Sequence, residues 1–502
     1  MTAPLKKNWA LSIFAILVLV AGCQKSADRA PPFDTDKVYT GADGRAYRLE
    51  RLEKKPGGYA WVNQTMLRYY PNGFYEVERQ DDAYFYVRQY VPVEVNPAAE
   101  AAFQTKAISL PESGDFAWHE FDAGLPRSGQ WRDNFAVADV NGDGFPDLVF
   151  APARKTLASP AVFLGDGKGK WTLWTKARYP ALRYDYGGAA VADFNKDGKA
   201  DIALGMHLLG VALLTGDGKG QFSDYSTGLP RKKTGERPRL PSRNVIAFDW
   251  NGDGSAALVV LNERLGMDPV NGLRDGVSVF LHHDESWDLL PSQPPLQNAV
   301  LMATDASAKK LALINDISAE GSVRISERAA GQWKIYDVAG FPKNASLTAL
   351  AVTNGKNASA FAVAYHLSVQ STWWTYVDLI RQDGDRWQRL PLSAQPGAAA
   401  VRGLAFGKFR PGQFQDLVVL DEAGEAALFR ETGSGGYTRD RSLPPPSWRA
   451  GCQGYGLRTS DLDKDGIDEV VLSFAGEGTA LSPSVECASG GGIQAFKISS
   501  QH

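Results

Sequence analysis

Three nine-residue stretches of this sequence place oxygen donors at fixed offsets. They are Asp139-Val-Asn141-Gly-Asp143-Gly144-Phe145-Pro-Asp147, Asp193-Phe-Asn195-Lys-Asp197-Gly198-Lys199-Ala-Asp201 and Asp461-Leu-Asp463-Lys-Asp465-Gly466-Ile467-Asp-Glu469. Positions 1, 3, 5 and 9 offer side-chain oxygens, and the carbonyl at position 7 (Phe145, Lys199 or Ile467) can turn inward. A hard cation wants six to eight such oxygens, so the expected cofactor is Ca2+. Glycine at position 6 permits the tight turn. Without a cation, three or four carboxylates in one short loop repel each other, although a plain Asx-rich turn is the metal-free alternative. An EF-hand opens in the same way but needs an acid at position 12 between two helices. Here position 12 is Phe150, Leu204 or Leu472, so that reading fails. A fourth loop, Asp249-Trp-Asn251-Gly-Asp253-Gly254, lacks the final acid because Ala257 stands there.

The elements that position these loops are short apolar strands. Phe135 to Ala138 lead into the first loop and Leu148 to Phe150 leave it, and the other copies do the same. Eroded copies begin at Asp305, Thr353 and Lys408, so repeat starts fall at 139, 193, 249, 305, 353, 408 and 461. A period near fifty residues means a closed propeller or an open array. A second hairpin follows each loop: Val162 to Trp171 in the first unit matches Ala212 to Phe222 in the second. Four strands per unit make one propeller blade. The second unit ends in Phe222 to Pro230 with Gly228-Leu229-Pro230, and a similar phrase with Gly124-Leu125-Pro126 precedes the first unit. The seventh unit stops after its third strand, Ile493 to Phe496. The strand near 116–122 is therefore expected to complete the seventh blade and remove its open edge.

These units resemble the FG-GAP/VCBS repeats of integrin α-chain-like propellers, over roughly residues 114–500 and most closely at units one, two and seven. The resemblance implies an all-β fold, a seven-bladed β-propeller closed by an N-terminal strand, with metal loops between first and second strands. It implies no particular activity, because such propellers host many functions.

If first and second strands are antiparallel, every metal loop lies on one face of the disc. The loops of the other face carry Trp131, Arg132, Tyr184, Tyr186, Trp373, Trp374 and Trp448. Trp, Tyr and Arg are what binding hot spots are made of, so these are the candidate ligand-binding residues. The competing reading is that propeller loops use aromatics as packing plugs.

The N-terminus gives an address. Lys6 and Lys7 precede the apolar run Trp9 to Val20, too short to span a bilayer, and Val20-Ala21-Gly22-Cys23 follows. This resembles a bacterial lipobox, which makes residues 1–22 a lipoprotein signal peptide, Cys23 the lipidated residue and 23–36 a linker. Gln24 favours the outer membrane under that resemblance. Tyr59 to Val91 reads as antiparallel hairpins, so a small β-rich domain is expected at 37–113 and the propeller at 114–502. Its aromatics (Trp61, Tyr69, Tyr75, Tyr84, Tyr86) can serve as a sugar platform or as the sheet's own core. Beyond Cys23 the only cysteines are Cys452 and Cys487, which flank the first two strands of the seventh unit on the non-metal side and are expected to pair in an oxidising compartment.

A net charge of −3 without a basic segment argues against a nucleic-acid partner. No Gly-x-Ser-x-Gly elbow, HExxH or phosphate loop is present, and of six histidines only His282 and His283 adjoin. Two function classes remain. The first is a calcium-stabilised, lipid-anchored envelope protein that binds an envelope protein or a glycan and has no evident catalytic site. The alternative is a carbohydrate-active enzyme, a polysaccharide lyase or hydrolase, whose catalytic residues are scattered over several blades.

Overall fold

The structure, a computed structural model, describes residues 34–90 and 106–500 except 36, 41–45, 57–58, 62–65, 70–72, 115, 155–156, 233–239, 263–275, 306, 319–320, 344, 354–359, 370–371, 384–385, 413, 434, 441, 444–445, 477–486 and 488. The chain divides into two compact units, Met1–Val93 and Glu94–His502. The signal segment and Cys23 lie outside the described residues, as does Asn357. Among the described residues no helix is long and apolar enough to cross a membrane.

The second unit is a β-propeller of seven four-stranded antiparallel sheets. The first blade consists of Ala136–Ala138, Asp147–Phe150, Ala161–Gly165 and Trp171–Leu173. Five further blades span residues 187–224, 244–289, 299–339, 346–396 and 401–439. The seventh takes Gln453–Ser460, Glu469–Ala475 and Gly491–Ser500 and is completed by Phe116–Glu120 from the start of the unit. Ser500 pairs with Phe116 and Phe496 with Glu120 in that last ladder. The expected closure is therefore present.

Side chains alternate across each strand, so every blade offers an apolar face to both neighbours. Ile202 and Leu204 point toward the first blade, packing with Val149 and Val162. Ala203, between them, packs instead with Leu258 and Val260 of the third. Seven clusters of this kind separate successive blades, and the one joining Val471 and Ile493 to Leu148 and Phe150 closes the ring. The repeated phrase also behaves as a repeat. Leu125 N–H donates to Asp122 O at 2.9 Å and Leu229 N–H to Ser226 O at 3.0 Å. Trp171 Nε1 bonds Phe121 O at 2.8 Å, as Trp287 Nε1 bonds Tyr225 O at 3.0 Å.

The first unit holds a six-stranded antiparallel sheet between Tyr39 and Tyr90. Leu67, Val77, Phe85 and Val87 form its buried core, with Tyr59 and Tyr75 packed against it. Tyr86 bonds Asp81 at 2.7 Å, and Arg51 lies over the Tyr84 ring at 4.5 Å. The boundary differs from the expected 113. Ile108 bridges Ala394, and Glu112 bridges Arg439, so residues 106–113 run along the fifth and sixth blades. Short and rich in neither hairpin nor repeat signals, this stretch gains its extended form from partners far along the chain.

Candidate metal loops and the opposite face

All the acidic loops connect the first strand of a blade to its second, and these strands pair antiparallel. They therefore share one face of the ring. Each folds by the same backbone scheme. The position-6 N–H donates to the position-1 carboxylate: Gly144 to Asp139 at 2.8 Å, Gly198 to Asp193 at 2.8 Å, Gly254 to Asp249 at 3.0 Å and Gly466 to Asp461 at 2.9 Å. Those four glycines have φ between 81° and 96°, the left-handed region that penalises a Cβ. The position-5 N–H bonds the position-3 side chain in the three full loops, at Asn141, Asn195 and Asp463.

Position 9 is the buried anchor. Asp147 accepts from Val140 N–H at 2.9 Å and Gly165 N–H at 3.0 Å, and Asp201 from Phe194 N–H and Gly216 N–H, both at 2.9 Å. Glu469 accepts from Leu462 N–H at 2.7 Å. Burial outweighs these bonds and raises Asp147 and Asp201 to about 6 and Glu469 to about 7. In the fourth-best loop Ala257 fills that place and is buried, so Asp249, Asn251 and Asp253 have no anchor acid behind them.

Residues 139–204 match a family model described as an FG-GAP-like repeat. No curated protein matches the sequence. Among solved structures, the chain is similar to a periplasmic gluconolactonase, PpgL, of Pseudomonas aeruginosa, at 14% identity over 63% of this chain and 86% of that one, with a TM-score of 0.42. It is also similar to the BP39L lectin of Burkholderia pseudomallei, at 13% identity over 69% and 93% with a TM-score of 0.46. A third similarity is to YCF48 bound to D1 peptide, at 14% identity over 78% and 98% with a TM-score of 0.41.

The donor sets of the full acidic loops fit a divalent cation. In the seventh blade, one oxygen each of Asp461, Asp463 and Glu469 lies within 4.8 Å of the others. Asp461 Oδ1 and Glu469 Oε1 are buried and have no hydrogen-bond partner among the described residues. Such oxygens call for a positive charge, and Lys497 Nζ stands 3.8 Å from Glu469 Oε1. Asp465 and the carbonyl of Ile467 would add to this set, and the first loop offers Asp139, Asn141, Asp143, Phe145 and Asp147 at the same sequence offsets. A bound Ca2+ would neutralise the carboxylates and cross-link strands one and two; it would have no chemical step to perform there.

The opposite face separates the aromatic candidates. Trp131 and Trp374 are packing residues, contrary to expectation: they are 4% and 8% exposed. Trp131 stands against Phe150 and Phe163 at 5.1 and 5.5 Å, with its Nε1 donating to Ser128 O. Trp374 lies in the core between the fourth and fifth blades. Strand alternation explains the contrast with Trp373, its neighbour, which is 54% exposed. Tyr184 is half-buried and bonds Pro180 O at 2.9 Å. Trp448 is half-buried beneath Arg127.

Arg132 and Tyr186 do converge. The Arg132 guanidinium lies 5.9 Å from the Tyr186 ring and 5.4 Å from that of Tyr455, while Arg154 approaches Tyr186 at 5.5 Å from another loop. Arg132 Nε is buried with no hydrogen-bond partner among the described residues. Arg154 and Tyr455 escaped the sequence reading because they sit in unremarkable contexts; only the ring brings them to Tyr186. The disulfide Cys452–Cys487 is formed on this same face.

Proposed function

We propose that this protein is a calcium-stabilised binding scaffold, held at the cell envelope by lipid on Cys23 and facing its partner with the non-metal side of the ring. The outer membrane is the favoured location. The partner is an envelope protein or a glycan.

The observation that carries this reading is the Arg132 site. Three loops and the strand Gln453–Ser460 bring two guanidinium groups and two tyrosine rings together, and a buried donor of Arg132 is left over for a ligand. A buried donor without an acceptor costs free energy, and a bound oxygen would recover it. The exposed Trp373 extends the same face. Support for calcium comes from the oxygen donors that the first, second and seventh loops offer at the same offsets around a shared turn.

The test is a screen of the pure protein on a glycan array and against detergent-solubilised envelope proteins, repeated with Arg132→Ala and Trp373→Ala. Retention of the same partners by both variants would dissociate this face from binding. Release of shortened sugars from a bound glycan would favour the alternative, a polysaccharide lyase or hydrolase.

A further inference from the structure

The FG-GAP-like loops look alike in sequence, yet they do not meet the same surroundings. In the seventh blade Lys497 reaches into the loop. Its Nζ bonds Asp463 Oδ2, bonds Asp465 Oδ2 at 2.7 Å and lies 3.8 Å from Glu469 Oε1. The ammonium thus contacts three of the acids at positions 3, 5 and 9, and these contacts raise its pKa despite burial.

Strand register shows how the lysine arrives there. Lys497 is paired with Glu469, one step beyond the Val470–Phe496 pair. The matching pairs are Leu148–Phe163 in the first blade and Ile202–Leu214 in the second. One step beyond them come Leu164 and Thr215, which carry no charge. The first two loops therefore have no third-strand cation. In the second, Lys199 approaches Asp197 at 3.7 Å, but both side chains are largely exposed.

The sixth blade completes the series. Its loop runs Lys408, Arg410, Gly412, Phe414, Asp416 at odd positions. The one surviving acid, Asp416, is fully buried and takes Arg410 Nη2 at 3.1 Å and Nε at 3.3 Å. The Arg410 guanidinium stacks 3.6 Å from the Phe414 ring centre. Here position 3 is a cation, and the donor set does not fit a metal.

The geometry points to Lys497 as a tethered cation that competes with calcium for the seventh loop, so that this loop fills only after the first two; this rests on the calcium reading above. A divalent ion placed among Asp461, Asp463 and Glu469 must displace the ammonium or sit beside a like charge. Either way its affinity falls by roughly tenfold or more relative to the loops that lack such a lysine. The sixth loop has gone further, with Arg410 as its permanent counter-charge.

Calcium titrated into the full chain, followed calorimetrically, tests this. Lys497→Met should bind one more ion than the wild type in the range that fills the first two loops. Adding Asp463→Ala to Lys497→Met should remove that ion. Asp463→Ala alone should leave the wild-type count of tight ions unchanged, and this arm stands even if Lys497→Met does not fold. The assignment is overturned if Lys497→Met gains nothing while Asp143→Ala and Asp197→Ala each still lose an ion, or if Asp463→Ala alone loses a tight one. Failure of every form to bind calcium would instead remove the calcium reading, and this inference with it.

Discussion

Trp118 packs edge-on against Phe496, with ring centroids 5.7 Å apart. The contact joins the strand that opens the propeller unit to the last strand of the ring, and His119 adds a 2.8 Å hydrogen bond to Ser499 on the same ladder. Phe116, at the far end of that strand, is 7% exposed within the core between the sixth and seventh blades. Without this strand Gly491–Ser500 would present an open edge. Phe116→Ala should lower stability by roughly 3 kcal/mol, the usual cost of emptying a buried phenylalanine site. Denaturant unfolding measures it. A loss comparable to an exposed-site substitution would mean that the ring does not depend on this closure.

Calcium should make the ring more heat-stable than chelator does. A metal that binds only the folded state contributes about 2.7 kcal/mol per site at a hundredfold excess over Kd. Asp143→Ala and Asp197→Ala should each remove about that much of the calcium-dependent gain, because each breaks a loop that has no third-strand lysine. Thr353→Ser should leave the gain unchanged, since the fifth loop has no acid at its first position. Magnesium, which resists irregular oxygen cages, should substitute poorly. Calorimetric melting temperatures that coincide in calcium and chelator would make these loops acidic turns and nothing more.

Much of this was legible because the period of the chain is written in side chains with narrow physical roles. The Asp-x-Asn-x-Asp-Gly spacing depends only on residues within nine positions, and the split blade shows itself because Gly124-Leu125-Pro126 repeats Gly228-Leu229-Pro230. Lys497 was missed for the opposite reason. It is distant in sequence from Asp463 and becomes its neighbour through strand pairing, although aligning the third strands would have set it against Leu164. Trp131 and Trp374 are contact candidates by residue type and by their expected place in loops of the non-metal face. Trp374 lies in the strand Thr372–Asp383 on its core side, and Trp131 lies in a loop that folds back onto Phe150 and Phe163. The end of the first unit was hidden because residues 106–113 draw their order from blades five and six.

The Cys452–Cys487 disulfide closes a loop of 35 positions, from just before the first strand of the seventh blade to the segment between its second and third strands. Chain entropy gives such a closure about 3–4 kcal/mol, before any native-state relaxation. Cys452 is fully buried and Cys487 nearly so. Thiol labelling of the unreduced protein should find neither, and the Cys452→Ala/Cys487→Ala protein should unfold at lower denaturant by that amount. Two reactive thiols in the native protein would contradict the pairing.

Cys23→Ser should release the protein from the membrane fraction. Stable anchoring needs more than one acyl chain, and a lipidated N-terminal cysteine supplies them. Fractionation of cells that make the variant decides it, and a Cys23→Ser protein that still sediments with membranes removes the lipid anchor.

Asp378 ties the fifth blade to pH. Its carboxyl is fully buried; Tyr365 OH donates to Oδ2 at 2.9 Å and Arg389 Nε lies 3.3 Å from the same oxygen, while Oδ1 has no partner among the described residues. Burial raises its pKa to about 6, with Arg389 and Tyr365 opposing. An acid raised on folding holds its proton more tightly in the native state. Its contribution therefore favours folding below the unfolded value near 4 and is lost as pH rises through about 6. Two units correspond to on the order of 3 kcal/mol. Asp378→Asn keeps an acceptor for Tyr365 and cannot ionise, so it should be spared that loss. Denaturant unfolding of both proteins at several pH values between 4 and 7.5 tests this. The stability of Asp378→Asn relative to the wild type should rise across the window and level off above pH 7. Other raised acids, Asp147 and Asp201 among them, act equally on both proteins and cancel in the difference. Two parallel stability curves would show that Arg389 fully compensates the buried charge.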